Sequence, residues 1–433
     1  MEEDKAKAVE LYRQAAEKGY VRAQCNLGFC YYRAIGVEEN DEEAVRWFTK
    51  AADAGQPRAR QLLGECYENG RGVVKDPERA VELYTKAHEQ HYAPATCSLG
   101  VCYEYGTGVA MDKERAVQLY LEAAKQGNVW AQCNYGYCLY QGIGVKMDDK
   151  EAVKWFRKAV EQGSARGHYL LGECYEYGYG VEKDVNEAAR LYAIAHKGGY
   201  AAGTCSLGLC YELGYGVEQD KETAMELYRI AAEKGNARAM CNLGFFYYHV
   251  ITVEEDNKQA AEWFAKAAAL GHHRAEFFLG ECYENGYGVK KDVAKAVELY
   301  QKADAGGHPD GTCSLGDCYA SGMGVPKDEA KAAALYQRAA DKGSPRGMYR
   351  LGGCYEKGTG VERDLEKAKK LYRQAADKGY KKAKEALERL GAGKAGATEP
   401  PVDRPPQAPR PTEKPAPKQE KPKKKGWWPV GKR

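Results

Sequence analysis

The sequence predicts an all-α protein, an α/α superhelical solenoid of about ten repeats with a disordered C-terminal tail. Three observations carry that reading. A Leu-Gly pair returns every 36 residues, its glycine at Gly28, Gly64, Gly100, Gly136, Gly172, Gly208, Gly244, Gly280, Gly316 and Gly352, and the register never slips. An alanine series with the same period runs from Ala8 through Ala368. Between the two series, Gly-x-Gly-Val followed by an aspartate marks a connection rather than a helix.

Each repeat divides into two antiparallel helices, A and B. The chain opens in a helix B, Lys5 to Lys18, which makes residues 1–19 a half repeat. Ten full repeats follow over 20–379, with helix A over stretches such as Val21 to Arg33 and helix B over stretches such as Asp41 to Ala54. On helix A, Ala23, Leu27 and Tyr31 share one face with Gly28. A mid-helix glycine costs ~1 kcal/mol relative to alanine, so close approach of helix B has to offset it. Helix B offers two alanine series flanking a bulky pair such as Leu83-Tyr84 or Trp47-Phe48, which is expected to fill the gap between repeats. Asn40 and the aspartates at 76, 112, 148, 184, 220, 256, 292, 328 and 364 read as N-caps of helix B, with Pro77 at a first helical position. Gly19, Gly55 and Gly127 read as C-caps, and His91 stands where one of these glycines is missing. A lone helix A over 380–390, with Glu388 in place of the packing glycine, caps the array. The opening has no such polar cap, which predicts a further segment upstream.

A longer period overlies the first. Repeats one, four and seven share Cys-Asn and Trp-Phe, as in Cys25-Asn26 with Trp47-Phe48. Repeats two, five and eight share Leu-Gly-Glu-Cys-Tyr-Glu, and three, six and nine share Cys-Ser-Leu-Gly. The unit that multiplied is a 108-residue block of three repeats. Repeat seven departs most, with His249-Val250-Ile251-Thr252 in place of the glycine turn.

Fifteen cysteines sit at two repeat-locked positions, as at Cys25 and Cys30. Five residues apart on a helix they diverge by about 140°, and with no Cys-x-x-Cys they read as reduced, packed side chains rather than a disulfide framework or zinc site. The net charge of +3 conceals a split. Residues 391–433 hold eleven Lys/Arg and four Asp/Glu, a surplus of 7 positive charges that leaves the preceding body at −4. Ten of the sixteen prolines also fall there, so this stretch cannot build a core and reads as a disordered linker. It ends in the basic-aromatic run Lys423-Lys424-Lys425-Gly426-Trp427-Trp428. No apolar run reaches the ~20 residues of a membrane span, and the start lacks an apolar signal core, so the expected location is cytoplasmic.

The Ala-x-x-x-Leu-Gly-x-Cys-Tyr helix, the Gly-x-Gly-Val-x-x-Asp connection and the Ala-x-x-Leu-Tyr-x-x-Ala-x-x-x-Gly helix together resemble Sel1-like repeats, relatives of tetratricopeptide repeats. The resemblance covers about residues 4–390. It implies a non-enzymatic adaptor or scaffold that binds protein or peptide partners. A sub-family resembling β-lactamases or peptidoglycan-related hydrolases supplies an alternative. That sub-family pairs cysteines of helix B with the next helix A, and helix B here carries none.

Helical projection turns Ala23, Leu27, Gly28 and Tyr31 inward and positions 22, 25, 29, 32 and 33 toward a concave groove. Phe29 and Tyr32, Tyr137 and Tyr140, and Phe245 and Tyr248 form aromatic bands on that face. Glu65 and Glu68, Glu173 and Glu176, and Glu281 and Glu284 form acidic bands, with Arg22, Arg58, Arg166, Arg238, Arg274 and Arg346 along one edge. One reading is a groove for a peptide with basic and apolar side chains. The other is a solvated face whose aromatics stack between repeats and whose glutamates pair with the arginines. The tail residues Lys423, Lys424, Lys425, Trp427 and Trp428 suit an anionic membrane surface, which would make the chain a tethered adaptor, or the acidic groove of this same chain. Nucleic acid is a weaker fit. No catalytic residues, metal ligands or cofactor are expected: His88 and His91 miss the metalloprotease spacing, and the glycine turns follow helices rather than strands. The paired glutamates are expected on an open face without the enclosure that shifts a pKa.

Overall fold

The computed structural model describes residues 2–249 and 254–391. Among them are twenty-two helices, from Glu2–Glu17 to Lys381–Gly391, and no strand. Contacts group the chain into two units, one of residues 2–203 with 214–218, the other of residues 204–213 with 219–391. The first holds the opening helix B and repeats one to five. The second holds most of repeat six, repeats seven to ten and the terminal helix.

Within the first unit each helix A packs hardest on the helix B that follows it, as Pro57–Asn69 does on Pro77–His88. Successive A helices also touch, from Pro57–Asn69 through Ala93–Tyr105 and Val129–Gln141 to Ala165–Tyr177, whereas the B helices make no comparable approach. Helix A therefore lines the inner side of the stack. The second unit repeats the arrangement through His273–Asn285, Pro309–Ser321 and Pro345–Lys357.

The repeated glycine exists for a ring. A Cβ placed on Gly64 would stand 2.5 Å from Cε1 of Tyr84, whose side chain is fully buried. The same ring-on-glycine contact joins Gly28 to Phe48, Gly136 to Phe156, Gly172 to Tyr192 and Gly280 to Tyr300. The bulky pair of helix B therefore divides its work. Its second member seals the repeat's own A–B contact, while Leu83 joins a cluster with Leu63 and Cys66. The second glycine of the turn acts between repeats. Gly72, at φ 67°, lies against the backbone of Asp41 and Glu42 where the preceding helix B begins. It is a contact between repeats as well as a turn.

The caps follow the expected chemistry. Asn40 and the aspartates at 76, 112, 148, 184, 220, 292, 328 and 364 accept from backbone N–H groups of the first turn of helix B. Asp256 is the exception. Helix B of repeat seven starts at Glu254, which places Asp256 inside it rather than at its cap. Gly19, Gly55 and Gly127 take left-handed backbone after helix B, and His91 adopts the same conformation at φ 56°. Val250, Ile251 and Thr252, part of the divergent turn of repeat seven, lie outside the described residues. The expected disordered tail does too, from 392 onward.

Helix A uses a wider choice of caps. Asn128 and Asn236 accept from Ala131 and Ala239, and in the second unit the Nδ1 atoms of His272 and His308 accept from Ala275 and Gly311. An imidazole accepts there only when neutral. Burial, reinforced by Arg274, lowers the pKa of His272 to about 4. Burial lowers His308 to about 4 as well, against the opposing charge of Asp310.

Two outcomes follow. Gly64→Ala should destabilise the chain by about 1–3 kcal/mol in urea unfolding, because overpacking against a sealed ring outweighs the gain in helix propensity. Gly391→Ala, with open space around it, should be neutral by the same measurement. The histidines hold depressed pKa values in the folded state, so the stability they contribute is present above their ordinary pKa of about 6.5 and is lost as pH falls toward 4. His272→Asn with His308→Asn keeps both caps and should reduce the loss of stability between pH 7 and pH 5 by about 1–3 kcal/mol, read from urea midpoints at each pH.

Candidate face of helix A

The polar and aromatic positions of helix A obey a pairing rule with helix B. In six of the seven repeats whose helix B carries tyrosine, a glutamate stands four residues after the packing glycine and the phenol donates to it: Tyr84 to Glu68 at 3.0 Å, Tyr120 to Glu104 at 2.6 Å, Tyr192 to Glu176 at 2.5 Å, Tyr228 to Glu212 at 2.6 Å, Tyr300 to Glu284 at 2.5 Å and Tyr372 to Glu356 at 2.7 Å. Where helix B carries phenylalanine the same position is tyrosine, and the rings meet edge to face: Tyr32 with Phe48, Tyr140 with Phe156 and Tyr248 with Phe264. Repeat nine has Ala320 at that position, and Tyr336 donates instead to Asp317 at 2.6 Å. The ring over the glycine carries the hydroxyl out of the core, and a buried hydroxyl needs an acceptor.

This pairing corrects the expected site in three ways. Tyr32 is 2% exposed, and Tyr137 and Tyr140 are buried. Cys25, projected toward the groove, is fully buried, while Tyr31, projected inward, is half-buried and accepts from Arg13 at 2.9 Å. Helix A touches its own helix B and the helices A on either side, so more of its circumference is covered than a one-stripe projection allows. Second, Glu68, Glu176 and Glu284 pair with tyrosines of helix B rather than with the arginines. Third, the acidic face is not uniformly open. Glu281 is 9% exposed, and burial raises its pKa to about 7 against the opposing charge of Arg346.

The arginines bridge neighbouring A helices. In the first unit Arg58 donates to Asn26 at 3.2 Å and lies 5.0 Å above the half-buried Phe29 ring. Arg166 donates to Asn134 at 2.6 Å and approaches Trp130, which is 46% exposed. Arg22 is exposed on the same face. In the second unit Arg274 stacks on Phe245 and Phe278, while Arg346 donates to Ser314 and Asp317. Glu65 and Glu173 are half-buried and accept from side chains one turn earlier, Gln61 and Tyr169, each at 2.6 Å. The buried Glu104 and the exposed Trp130 were not among the residues singled out by sequence. The pairing rule was present there as a covariation between positions 16 apart, as at Glu104 and Tyr120. Lys423, Lys424, Lys425, Trp427 and Trp428 lie outside the described residues.

All fifteen cysteines are buried thiols that form no disulfide, and burial pushes Cys97, Cys241, Cys282 and Cys313 up to about 12. Such thiols are poor nucleophiles.

The family description Sel1 repeat matches eleven consecutive segments, at residues 1–20, 21–56, 57–92, 93–128, 131–164, 165–200, 201–236, 237–272, 273–308, 309–344 and 345–380. A Sel1 repeat protein from Oxalobacter formigenes is similar at 32% identity and a TM-score of 0.50, over 56% of this chain and 96% of that one. The c5321 protective antigen of uropathogenic Escherichia coli, described as displaying an SLR fold, is similar at 29% identity and a TM-score of 0.47, over 92% of this chain and 99% of that one. No curated protein matches the chain.

The pairing rule is testable by exchange. Tyr192→Phe strands Glu176 and should cost about 1–3 kcal/mol in chemical unfolding, the worth of a hydrogen bond to a charged group. Adding Glu176→Tyr recreates the Tyr140–Phe156 arrangement and should restore most of that loss.

Proposed function

Since the chain belongs to the Sel1 repeat family, whose stacked helix pairs serve as protein-interaction scaffolds, we propose that it is a non-enzymatic, cytoplasmic adaptor that binds peptide segments along its helix A face. The observation that carries this reading is the Arg-Asn-aromatic arrangement of the first unit. Arg58 donates to an asparagine of the preceding helix A, and Arg166 to an asparagine and to Tyr200, and with five N–H donors apiece both guanidinium groups keep donors to spare. Phe29 and Trp130 stand beside them with part of their rings in solvent. Fixed guanidinium groups with accessible aromatic rings suit an extended peptide that brings apolar side chains together with carboxylates or free backbone carbonyls. The glutamates favour this ligand over a basic one, because Glu68 and Glu176 already accept from tyrosines. A reducing compartment accords with fifteen buried thiols.

A peptide display selection on the full chain tests the reading. Acidic-aromatic sequences should be enriched, and Arg166→Ala with Trp130→Ala should weaken the best of them at least tenfold in calorimetric titration. Equal affinity of the variant and the parent would remove this face from the model of binding.

A further inference from the structure

Glu65, Glu173 and Glu281 occupy one position in three copies of the 108-residue block. In the first copy Gln61 donates to Glu65, and in the second Tyr169 donates to Glu173. In the third copy the residue one turn earlier is Phe277, which has nothing to donate. Phe277 otherwise keeps the place of Tyr169: Tyr169 packs at a tilt on Tyr200, centroids 5.4 Å apart, and Phe277 packs likewise on His308 at 5.1 Å. Only the donor has gone.

No other donor replaces it. Among the described residues none forms a hydrogen bond or ion pair with the Glu281 side chain, although 91% of the residue is covered, given its 9% exposure. The charges that face it are Arg346, which is committed to Ser314 and Asp317, together with Glu284 and Asp310. Glu284 accepts from Tyr300, and Asp310 from Ser344 at 3.0 Å. The sealed unpartnered polar atoms of the described residues are Arg13 Nε, Trp47 Nε1 and Asn257 Oδ1, so the Glu281 oxygens are not fully closed off from solvent. A covered carboxylate without a donor is costly unless something brings one.

We propose that the donor is this chain's own segment Lys423–Trp428, which docks on the helix A face of the second unit with a lysine ammonium on Glu281. This goes beyond the peptide-binding reading, which concerns the first unit. A lysine suits a nearly covered carboxylate because its apolar stem can lie along covered walls while its head carries the charge. Trp427 and Trp428 follow directly, and Phe245, Phe278 and the 37% exposed Tyr287 lie on the same face. The segment is also within reach. Tyr380, at the start of the last helix A, packs at a tilt on Tyr349, centroids 5.3 Å apart, and senses the charge of Arg346, which in turn faces Glu281. From Gly391 to Lys423 the backbone spans up to ~110 Å, far more than the ~30 Å across three helix spacings. Tethering raises the effective concentration of the segment to the millimolar range. Residues 391–433 also bring 11 basic side chains against 4 acidic ones.

Hydrogen exchange read by mass spectrometry on the full chain at pH 8 tests this, with circular dichroism melting to establish that each variant is folded. In the parent chain, amides of residues 423–430 should exchange at least tenfold more slowly than in Glu281→Gln. Phe277→Tyr, which restores the internal donor of the Tyr169–Glu173 pair, should release the segment in the same way while leaving Glu281 in place. Replacing Lys423, Lys424 and Lys425 by alanine should do so from the other side. Unprotected amides in the parent, or protection unchanged by both Glu281→Gln and Phe277→Tyr, would overturn the assignment. Protection that appears only with phosphatidylserine vesicles would overturn it too, assigning the segment to a lipid surface. None of these outcomes touches Arg166 and Trp130, so the two readings fail separately.

Discussion

Everything in this chain depends on one ring lying on one bare Cα. The aromatic residue of helix B covers the glycine of helix A so closely that no side chain fits beneath it, and the contact recurs from Gly28 and Phe48 to Gly352 and Tyr372. The close approach yields a dense A–B pair, which offsets the propensity lost by a mid-helix glycine. It also fixes where the far edge of each ring emerges. Tyrosine at that position delivers a hydroxyl to the adjacent turn of helix A, and phenylalanine delivers a C–H edge. The residue waiting there is a carboxylate in the first case and another ring in the second.

That constraint reaches the functional face. Three of the six glutamates that look like an acidic band, Glu68, Glu176 and Glu284, are acceptors for the hydroxyls of the packing layer, and the tyrosines of the aromatic bands are largely covers for the packing phenylalanines. Recognition is left to residues outside this layer: the arginines that bridge neighbouring A helices, the asparagines they hold, and rings such as Phe29 and Trp130 that keep a surface in solvent. Glu281 shows the same logic by exception. Its band-mates accept from Gln61 and Tyr169 within the fold, and Phe277, at the equivalent position of the third block, offers Glu281 no such donor.

The sequence by itself determined the number of repeats, their phase, the helix-turn-helix order and nearly every cap, because each is a local property written at a constant interval. Asp76 caps a helix whether or not the neighbouring repeats are known, and Gly55 ends one by its own left-handed backbone. Asp256 shows the limit, since an extension of its own helix absorbed it. Only the tertiary structure decided which side of helix A is covered and which charges are already spent. Cys25 and Tyr32 are buried by residues from other helices, and Glu68 is satisfied by a hydroxyl 16 positions away. Burial and pairing are sums over neighbours in space, and a period of 36 residues names those neighbours without saying how near they come.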